Sequence, residues 1–317
     1  LKIKAKTVGT RLIAKDKIIE IENIKTQISL LSFINNNFSL EDLEISTKSL
    51  EIKHLIAFVR EFYNTPQLYL SEKIIKRGYL IANIKLNFDK NGKIKENFRV
   101  NGFIKDTKIS LFKDYNIEKI NFIFDLDKER LKTKDITLNF NNLKFSSKNI
   151  LIQKNKENFI IDGMFQNKDL EIDEEKLKFL FKKSFSNFAI RNIKFSSIND
   201  FSFQINKKLR IQDFKLVSDV KVKDFNVKNQ LKLKNIFPKI KNEFKFLNQN
   251  LKINYSDKEL SIDGSGEILF QDKKDEIRYS IQKKGKNYKF KSSLNIYNNP
   301  IIFEILNYKN SFDNKAK

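Results

Sequence analysis

The chain has 317 residues, and its 62 Lys+Arg against 39 Asp+Glu give a formal net charge of +23. A hydrophobic fraction of 40% is enough to bury a core, which argues against wholesale disorder. The absence of cysteine excludes disulfide scaffolds, thiolate metal sites and cysteine nucleophiles, and the single histidine, His54, excludes a multi-histidine metal site. Eight Gly and three Pro exclude collagen-like repeats and Gly-rich linkers. This composition is a poor one for an enzyme.

The sequence also has no transmembrane or signal segment of its own. No apolar run reaches the roughly 18 residues that a membrane-spanning helix needs. The chain begins at Leu1 rather than Met and lacks an apolar signal-peptide-like region at its start. We therefore expect an internal piece of a longer protein, in which any targeting signal or membrane anchor would lie upstream.

The positive charge is carried almost entirely by lysine. Only eight of the 62 basic residues are Arg, the residue best suited to reading phosphates and bases. Lysines alternate with apolar residues along the whole chain, as on a solvated strand face, and an A- and T-rich genome favours the codons for Lys, Asn, Ile and Phe. We interpret the surplus in these two ways and expect no specific nucleic-acid partner. The alternative is an electrostatic role, with an anionic membrane surface as the target.

The first predicted element in chain order is a short helix near residues 51–62. Ile52, Leu55 and Val59 keep helical spacing there, and Asn64-Thr65-Pro66 stops the helix. We expect this helix to lie across the sheet formed by the strands that follow, or to close one end of that sheet.

A long antiparallel hairpin is predicted between Leu80 and Ile104. Its apolar residues recur at every second position in both arms, which is the period of a strand with one buried face. The arms meet at Asp89-Lys90-Asn91-Gly92, where Asn91 and Gly92 tolerate the positive φ of a tight turn. Each arm is about ten residues, or about 33 Å at about 3.3 Å per residue, which exceeds the usual strand length.

The same alternation recurs downstream with short connections, which predicts an antiparallel meander. Asn141-Asn142 is either a tight turn or a bulge, and Lys154-Asn155-Lys156 is another turn. The downstream strands are predicted around Ile117–Leu126, Leu131–Phe140, Leu143–Ile152, Phe159–Phe165, Phe201–Ile205, Leu209–Val217, Val220–Leu233, Leu251–Tyr255, Leu260–Phe270, Ile277–Gln282, Tyr288–Ile296 and Ile301–Tyr308.

Two further helices interrupt this meander. One is predicted near 173–183, where three acids open the helix at the positive end of its dipole, and one at 236–247. The first of them is the best candidate for a boundary, so we divide the chain into a β segment at 1–172, a continuing β segment at 173–309 and a loose tail at 310–317.

A weak internal repeat accompanies this division. Phe98-Arg99-Val100-Asn101-Gly102 is echoed by Phe159-Ile160-Ile161-Asp162-Gly163, and Leu260–Gly264 is a partial third copy. The repeat lengths differ, which argues against a strict solenoid and indicates one sheet grown by duplication of strand pairs.

Motifs that carry catalysis or bind metal are scarce. No nearby Ser or Asp completes a partner motif with His54, which is interpreted as a surface or helix-end residue. Gly264-Ser265-Gly266 lacks the spacing of a nucleophile elbow and the Lys of a P-loop, which favours a bulge or close strand packing. The alternating acids at 125–127 and 169–173 lack the other ligands of a calcium loop. We expect no catalytic residue, no metal and no cofactor.

The apolar face of the predicted sheet is its most informative feature. Three helices are few for so many strands, so the sheet must cover this face in another way. It either folds onto itself as a sandwich or barrel, which the residue pattern slightly favours, or curls into a trough with an apolar inside. A ligand with an apolar body would close such a trough, and acyl chains fit that description.

A series of short motifs between Ile24 and Leu180 carries a resemblance to a known family. The motifs are Ile28-Ser29-Leu30, Phe38–Ser49, Leu55–Arg60, Gly78-Tyr79-Leu80, Asn87–Ile94 and Val100-Asn101-Gly102. Through them, about half of the chain resembles the AsmA-like family of bacterial envelope proteins, whose relatives include TamB and YhdP. The rest of the chain shares only the alternation of apolar and polar residues with this family.

The resemblance implies a long, twisted antiparallel β-groove in the periplasm of a Gram-negative bacterium, tethered to the inner membrane by an anchor outside this chain. It implies that phospholipid acyl chains are held in the groove during transport between inner and outer membranes or outer-membrane assembly, with envelope proteins as further partners. The family has no catalytic motif to carry over. The groove-lining candidates are Leu80, Ile84, Leu86, Phe88, Phe98, Val100, Ile136, Leu138, Phe214 and Leu216.

Three function hypotheses remain from the sequence. The leading one is a non-enzymatic lipid conduit or envelope-assembly segment. The opposing one is a structural β-scaffold or adhesion module with a dry core and no lipid ligand. The third is a nucleic-acid binder that uses the lysine surplus and shows strongly salt-dependent affinity.

Overall fold

The computed structural model describes residues 2–35, 37–111, 115–156, 158–181, 193–206, 208, 210–228, 234, 236–237, 239–285, 287–303 and 306–310. Within these residues the fold is mainly β, with one antiparallel sheet of seventeen strands, a separate two-stranded hairpin and four short helices. The sheet is an open meander, as predicted, and the barrel that the residue pattern slightly favoured does not form in the described part of the chain.

The helices and strands have the following bounds in chain order. The first are β1 (Lys2–Val8), β2 (Arg11–Ala14), β3 (Lys17–Ser29), α1 (Leu30–Ile34), β4 (Leu40–Thr47), β5 (Leu50–Glu51), α2 (Ile52–Arg60), α3 (Pro66–Ile74), β6 (Ile75–Asn87), β7 (Arg99–Leu111), β8 (Tyr115–Leu126), β9 (Arg130–Phe140) and β10 (Leu143–Asn155). The others are β11 (Asn158–Ile172), α4 (Glu174–Phe181), β12 (Ile193–Ile205), β13 (Ile211–Lys228), β14 (Glu243–Ser256), β15 (Glu259–Leu269), β16 (Asp275–Lys284), β17 (Asn287–Asn295), β18 (Ile301–Phe303) and β19 (Tyr308–Asn310).

The chain divides into two compact units. Unit 1 comprises Leu1–Met164 and Gln204–Arg210, and unit 2 comprises Phe165–Phe203 and Ile211–Lys317. In unit 1, consecutive antiparallel pairs join β1 and β2 to β3, β3 to β4, β4 and β5 to β6, and then β6 through β10 in chain order. In unit 2 the same meander runs from β13 through β17.

The predicted hairpin is confirmed as β6 and β7, whose register pairs Ile84 with Val100. Each strand has thirteen residues, longer than the typical strand of 3–10 residues. The turn between them is held by Asp89, whose carboxylate accepts the backbone N–H groups of Asn91 and Lys93 at 2.8 and 2.9 Å. Gly92 takes the positive φ of 77° that the sequence predicted for it.

The turn at Asn141-Asn142 is a tight turn rather than a bulge. Both residues have positive φ, at 46° and 66°, which is the conformation of a two-residue hairpin turn matched to the twist of the strands. The register places Leu143 opposite Phe140 directly after it. Lys156, in the next predicted turn, also has a positive φ of 52°.

Two of the three predicted helices are confirmed, as α2 and α4. The Asp173 carboxylate accepts the backbone N–H of Lys176 at 2.8 Å and so caps α4. The helix predicted at 236–247 is wrong, because Glu243–Ser256 forms β14 instead. There Phe246 stacks on Phe225 of β13 with ring centroids 4.8 Å apart, and this pairing overrides the helical spacing of the apolar residues.

The sequence missed α1 and α3 and broke one strand in two. The sequence Asn64-Thr65-Pro66 was predicted to end a helix, and it also begins α3. The hydroxyl oxygen of Thr65 accepts the N–H of Leu68 at 3.3 Å and so caps α3, and Pro66 occupies the first turn of this helix. The strands predicted at 209–217 and 220–233 are one strand, β13. Several predicted positions lie outside the described residues: 182–183 of the second helix, 209 and 229–233 of these strands, and 311–317 of the tail.

Candidate functional site

One side of unit 1 carries an aliphatic row that crosses seven strands. The strand registers place its members directly opposite one another on β3, β4, β6, β7, β8, β9 and β10. Every member is half-buried, and none is charged or polar. We call these residues the apolar row: Ile24, Ile45, Ile84, Val100, Leu126, Leu131 and Ile152.

The neighbouring position on each strand points to the opposite side, because side chains alternate along a strand. That side carries a polar row, in which Ser46 donates a hydrogen bond to Asn83 Oδ1 at 3.3 Å and Asn83 donates to Glu44 at 3.3 Å. At this level of the sheet one side is therefore apolar and the other polar, although Ile81, Phe103 and Ile123 are exposed further along the polar side. The members of the polar row are Asn23, Ser46, Asn83, Asn101, Asp125 and Lys132.

Bulges keep the apolar side chains of the long strands on one face. Asp106 in β7, Lys119 in β8 and Asp135 in β9 adopt positive φ of 47°, 51° and 52° within their strands. Each adds one residue to the alternation, and the next residue is buried: Thr107, Ile120 and Ile136 respectively. The amide oxygen of Asn121 accepts the N–H of Asp106 at 3.0 Å, which holds the first of these bulges.

One end of the apolar face in unit 1 is covered. The helix α2 packs on β3 and β6, and buried side chains lie in this region on β3, β4, β6 and the first residue of α2. Here the hydroxyl oxygen of Thr47 accepts the backbone N–H of Ala82 at 2.8 Å, so this buried N–H has a hydrogen-bond partner. We call these residues the covered end: Ile19, Ile21, Thr47, Ile52 and Ala82.

Eight of the ten groove-lining candidates lie in unit 1. Leu80, Ile84, Leu86 and Val100 share the apolar face of β6 and β7, with Leu80 opposite Ile104 and Leu86 opposite Leu43. Phe88 and Phe98 lie just beyond the ends of these strands, and Phe88 bridges to Ile94. In β9, Ile136 lies opposite Ser147 and Leu138 opposite Phe145. All are half-buried except Ile136, which is buried.

The last two candidates, Phe214 and Leu216, lie on β13 in unit 2, with Leu216 opposite Tyr255 of β14. Phe214 belongs to an aromatic ladder that the sequence did not predict. Phe165 and Phe201 stack at 5.4 Å, and contacts of 5.9, 6.0 and 5.8 Å continue from Phe201 to Phe203, Phe214 and Tyr255. The alternation of Phe201 and Phe203 was the available signal. The alternation within one strand does not give the register that places these rings beside Phe165 of β11 and Tyr255 of β14.

The motif Gly264-Ser265-Gly266 provides close strand packing, as predicted. A Cβ on Gly264 would lie 2.4 Å from the ring of Tyr279, and one on Gly266 would lie 2.4 Å from the amide of Gln249. Burial beside Gly264 raises the pKa of the Tyr279 hydroxyl to about 12. The amide nitrogen of Gln249 donates to the carbonyl oxygens of Leu247 and Glu267 at 2.9 and 2.8 Å.

The polar side of unit 2 is a ladder of alternating charge. The registers place Asp219, Lys252, Asp263, Ser280 and Lys291 side by side on β13 through β17. They line an open depression of about 1130 Å³. Val220, Leu251 and Tyr279 also line this depression, so its wall combines charged and apolar side chains.

The single histidine occupies an exposed position on α2. His54 Nδ1 lies 3.3 Å from Glu51, one turn earlier. Among the described residues, no group of three or more His, Cys, Asp or Glu is arranged to hold a metal ion. Within the same residues, no helix combines the length and apolarity required to cross a bilayer.

Comparisons with known proteins return nothing for this chain: no family model, no curated protein and no solved structure matches it. The AsmA-like resemblance therefore stays a prediction.

Proposed function

We propose that the apolar face of unit 1 holds lipid acyl chains and that the protein is a non-enzymatic segment of a phospholipid-transport or outer-membrane-assembly system. The setting in this proposal, a periplasmic protein tethered to the inner membrane, comes from the resemblance to the AsmA-like family. The binding surface comes from the geometry of the sheet.

The observation that carries the proposal is the half-burial of the apolar row. A β-scaffold with a dry core would bury these seven aliphatic side chains completely, as the side chains of the covered end are buried. Apolar surface left in water is unfavourable by about 25 cal/mol per Å². An acyl chain lying across the row would remove that surface from water without requiring any hydrogen bond from the protein.

The dimensions of the row suit such a ligand. Seven neighbouring strands have six gaps of about 4.8 Å, so the row extends about 29 Å along the sheet. The acyl chains of one bilayer leaflet span about half of the roughly 30 Å hydrocarbon core. A single phospholipid tail therefore fits along the row with space to move.

Site-specific photo-crosslinking tests the proposal directly. A benzophenone amino acid is placed at Val100 of the apolar row or at the adjacent Asn101 of the polar row, in protein purified without added lipid. Lipid adducts are expected at Val100 and absent at Asn101, because neighbouring side chains face opposite sides of β7. Native mass spectrometry of the unmodified chain should show co-purified phospholipid.

A charged substitution provides the second test. Ile84→Asp places a carboxylate in the apolar row, and Ile81→Asp places one on the opposite face of the same strand, where Ile81 is already exposed. Lipid recovery should fall strongly for Ile84→Asp and stay unchanged for Ile81→Asp. A folded, lipid-free wild-type protein that resists loading, or equal recovery from both variants, would instead favour the structural scaffold.

A further inference from the structure

The connection from β3 to β4 exposes a cluster of large apolar side chains. Leu31, Phe33 and Ile34 of α1 are exposed by 66, 66 and 74%. None of these side chains is covered by any other described part of the chain. We call these three residues the apolar tip.

The apolar tip lies in the longest uncharged run of the sequence. No charged residue occurs from Thr26 through Leu40, although 32% of the chain is charged. Transferring a charge into hydrocarbon is costly, so only an uncharged segment enters a bilayer at low cost. The composition of this loop therefore permits insertion, which the lysine-rich turns elsewhere in the chain would oppose.

Lysines of the neighbouring turn flank the apolar tip. The turn between β6 and β7 packs against the end of the α1 loop, since a Cβ on Gly92 would lie 3.0 Å from the ring of Phe38. The same turn carries Lys90, Lys93 and Lys95, all exposed. Among the described ion pairs, none involves these three lysines.

The nearby acids, by contrast, already have partners. Glu41 forms an ion pair with Lys2 at 2.7 Å and accepts a hydrogen bond from Gln27 at 2.8 Å. Asp89 accepts two backbone N–H groups of its own turn, and Glu96 pairs with Lys128. Lys93 and Lys95 also act electrostatically on Asp89, and Lys95 on Glu41. The turn from 88 to 97 nevertheless carries three lysines against two acids, so it keeps a net positive charge that an external anion can meet.

The apolar tip also leads onto the apolar face of unit 1. The ring of Phe38 lies 5.6 Å from the ring of Phe88, which follows Leu86 at the end of β6. Leu86 lies two positions beyond Ile84, a member of the apolar row, and therefore on the same face. This is the end of β4 and β6 opposite to the one that α2 covers.

We propose that the apolar tip is a docking site for an anionic lipid bilayer. Leu31, Phe33 and Ile34 enter the boundary between headgroups and acyl chains, and Lys90, Lys93 and Lys95 lie over anionic headgroups. Bilayer docking goes beyond the acyl-chain function proposed for the apolar row and does not require it. If both hold, a bound bilayer delivers acyl chains to the open end of the apolar face.

A tryptophan reporter tests insertion, because the chain contains no native tryptophan. Phe33→Trp is mixed with vesicles of equimolar phosphatidylcholine and phosphatidylglycerol. A blue shift of its emission and quenching by bromine-labelled acyl chains are expected. The matched control is Phe62→Trp, which places the reporter at a residue 63% exposed beyond the other end of β4 and is expected to show neither effect.

Flotation with the same vesicles measures how much apolar insertion and electrostatic attraction each contribute to binding. The double variant Leu31→Glu/Phe33→Glu should bind at least tenfold more weakly, since it replaces two inserted side chains by charges. Replacing each of Lys90, Lys93 and Lys95 by Gln should weaken binding about fivefold per lysine at low salt, and only to anionic vesicles. All five substituted side chains are exposed, so the melting curve should not change.

Three results would overturn the docking site. The first is wild-type protein that binds neither anionic nor neutral vesicles. The second is an equal blue shift for Phe33→Trp and Phe62→Trp. The third is a protein that self-associates through the tip, becoming monomeric in Leu31→Glu/Phe33→Glu, with no vesicle binding. Loss of co-purified lipid with vesicle binding intact would count against the acyl-chain function alone.

Discussion

The strand residues of the covered end lie on the same face of β3, β4 and β6 as the apolar row but differ from it in burial. Ile21 in β3 is 3% exposed, whereas Ile24 is half-buried, and a register shift between Ile21 and Asn23 keeps both side chains on one face. The helix α2 packs on β3 and β6 and contributes to burial there. Alternation along a strand decides which side of a sheet is apolar, but a helix is not the only source of burial, since Phe124 of β8 and Thr133 of β9 are also buried.

The largest expected effect comes from placing a carboxylate in each region. Ile21→Asp puts a charge without a partner at a buried position of β3, and we expect it to cost about 3–5 kcal/mol, a large fraction of the net stability of a domain. Ile84→Asp leaves its carboxylate in contact with water and should cost about 1 kcal/mol. Urea unfolding followed by circular dichroism measures both. Equal losses would mean that the apolar row is part of a closed core.

The features of unit 1 that could be predicted from the sequence are those set by residues close together in the chain. Helical spacing predicted α2, and the period of two assigned Ile84 and Val100 to one face, because both signals are local. The bulges at Asp106 and Lys119 were not predicted, because a positive φ at a non-glycine residue depends on pairing with the next strand. The same applies to the failed helix at 236–247, where pairing with β13 overrode the local pattern.

The apolar tip shows a second limit of the sequence. The motif Phe38–Ser49 drew attention as part of a family resemblance, while Leu31, Phe33 and Ile34 were not assigned to a helix. A five-residue helix gives too few repeats for a period to be recognised. The absence of charge from Thr26 through Leu40 was readable, but its meaning depended on knowing that these side chains remain exposed.

A smaller effect is expected from hydroxyl-to-methyl changes in the two regions. Thr47→Val removes the oxygen that accepts the buried N–H of Ala82 and should cost about 1–3 kcal/mol, because that donor has no water to replace it. Thr26→Val is the control beside the apolar row. The hydroxyl of Thr26 donates to the carbonyl oxygen of Asp42 at 2.8 Å at a half-buried position, so water can replace it and the cost should be about 0.5 kcal/mol or less.

Unfolding midpoints of the two threonine variants measured under the same conditions decide this prediction. A cost for Thr26→Val as large as that for Thr47→Val would show that the open part of β3 is as dry as the covered end. Hydrogen exchange adds an independent readout, since the amide of Ala82 should exchange faster only in Thr47→Val.

The smallest effect is expected at the turn beside the open end, and it depends on pH. The backbone N–H groups of Lys93 and then Asn91, with the charge of Lys93, hold the pKa of the Asp89 carboxyl below its ordinary value of 3.8. A carboxyl whose pKa is lower in the folded state stabilises the fold above its unfolded-state pKa, and this contribution disappears as pH falls through the folded-state pKa. Asp89→Asn should therefore be less stable than wild type at neutral pH and equal to it in strong acid. A constant difference between the two melting temperatures across that range would show that the turn is held by geometry rather than by the charge of Asp89.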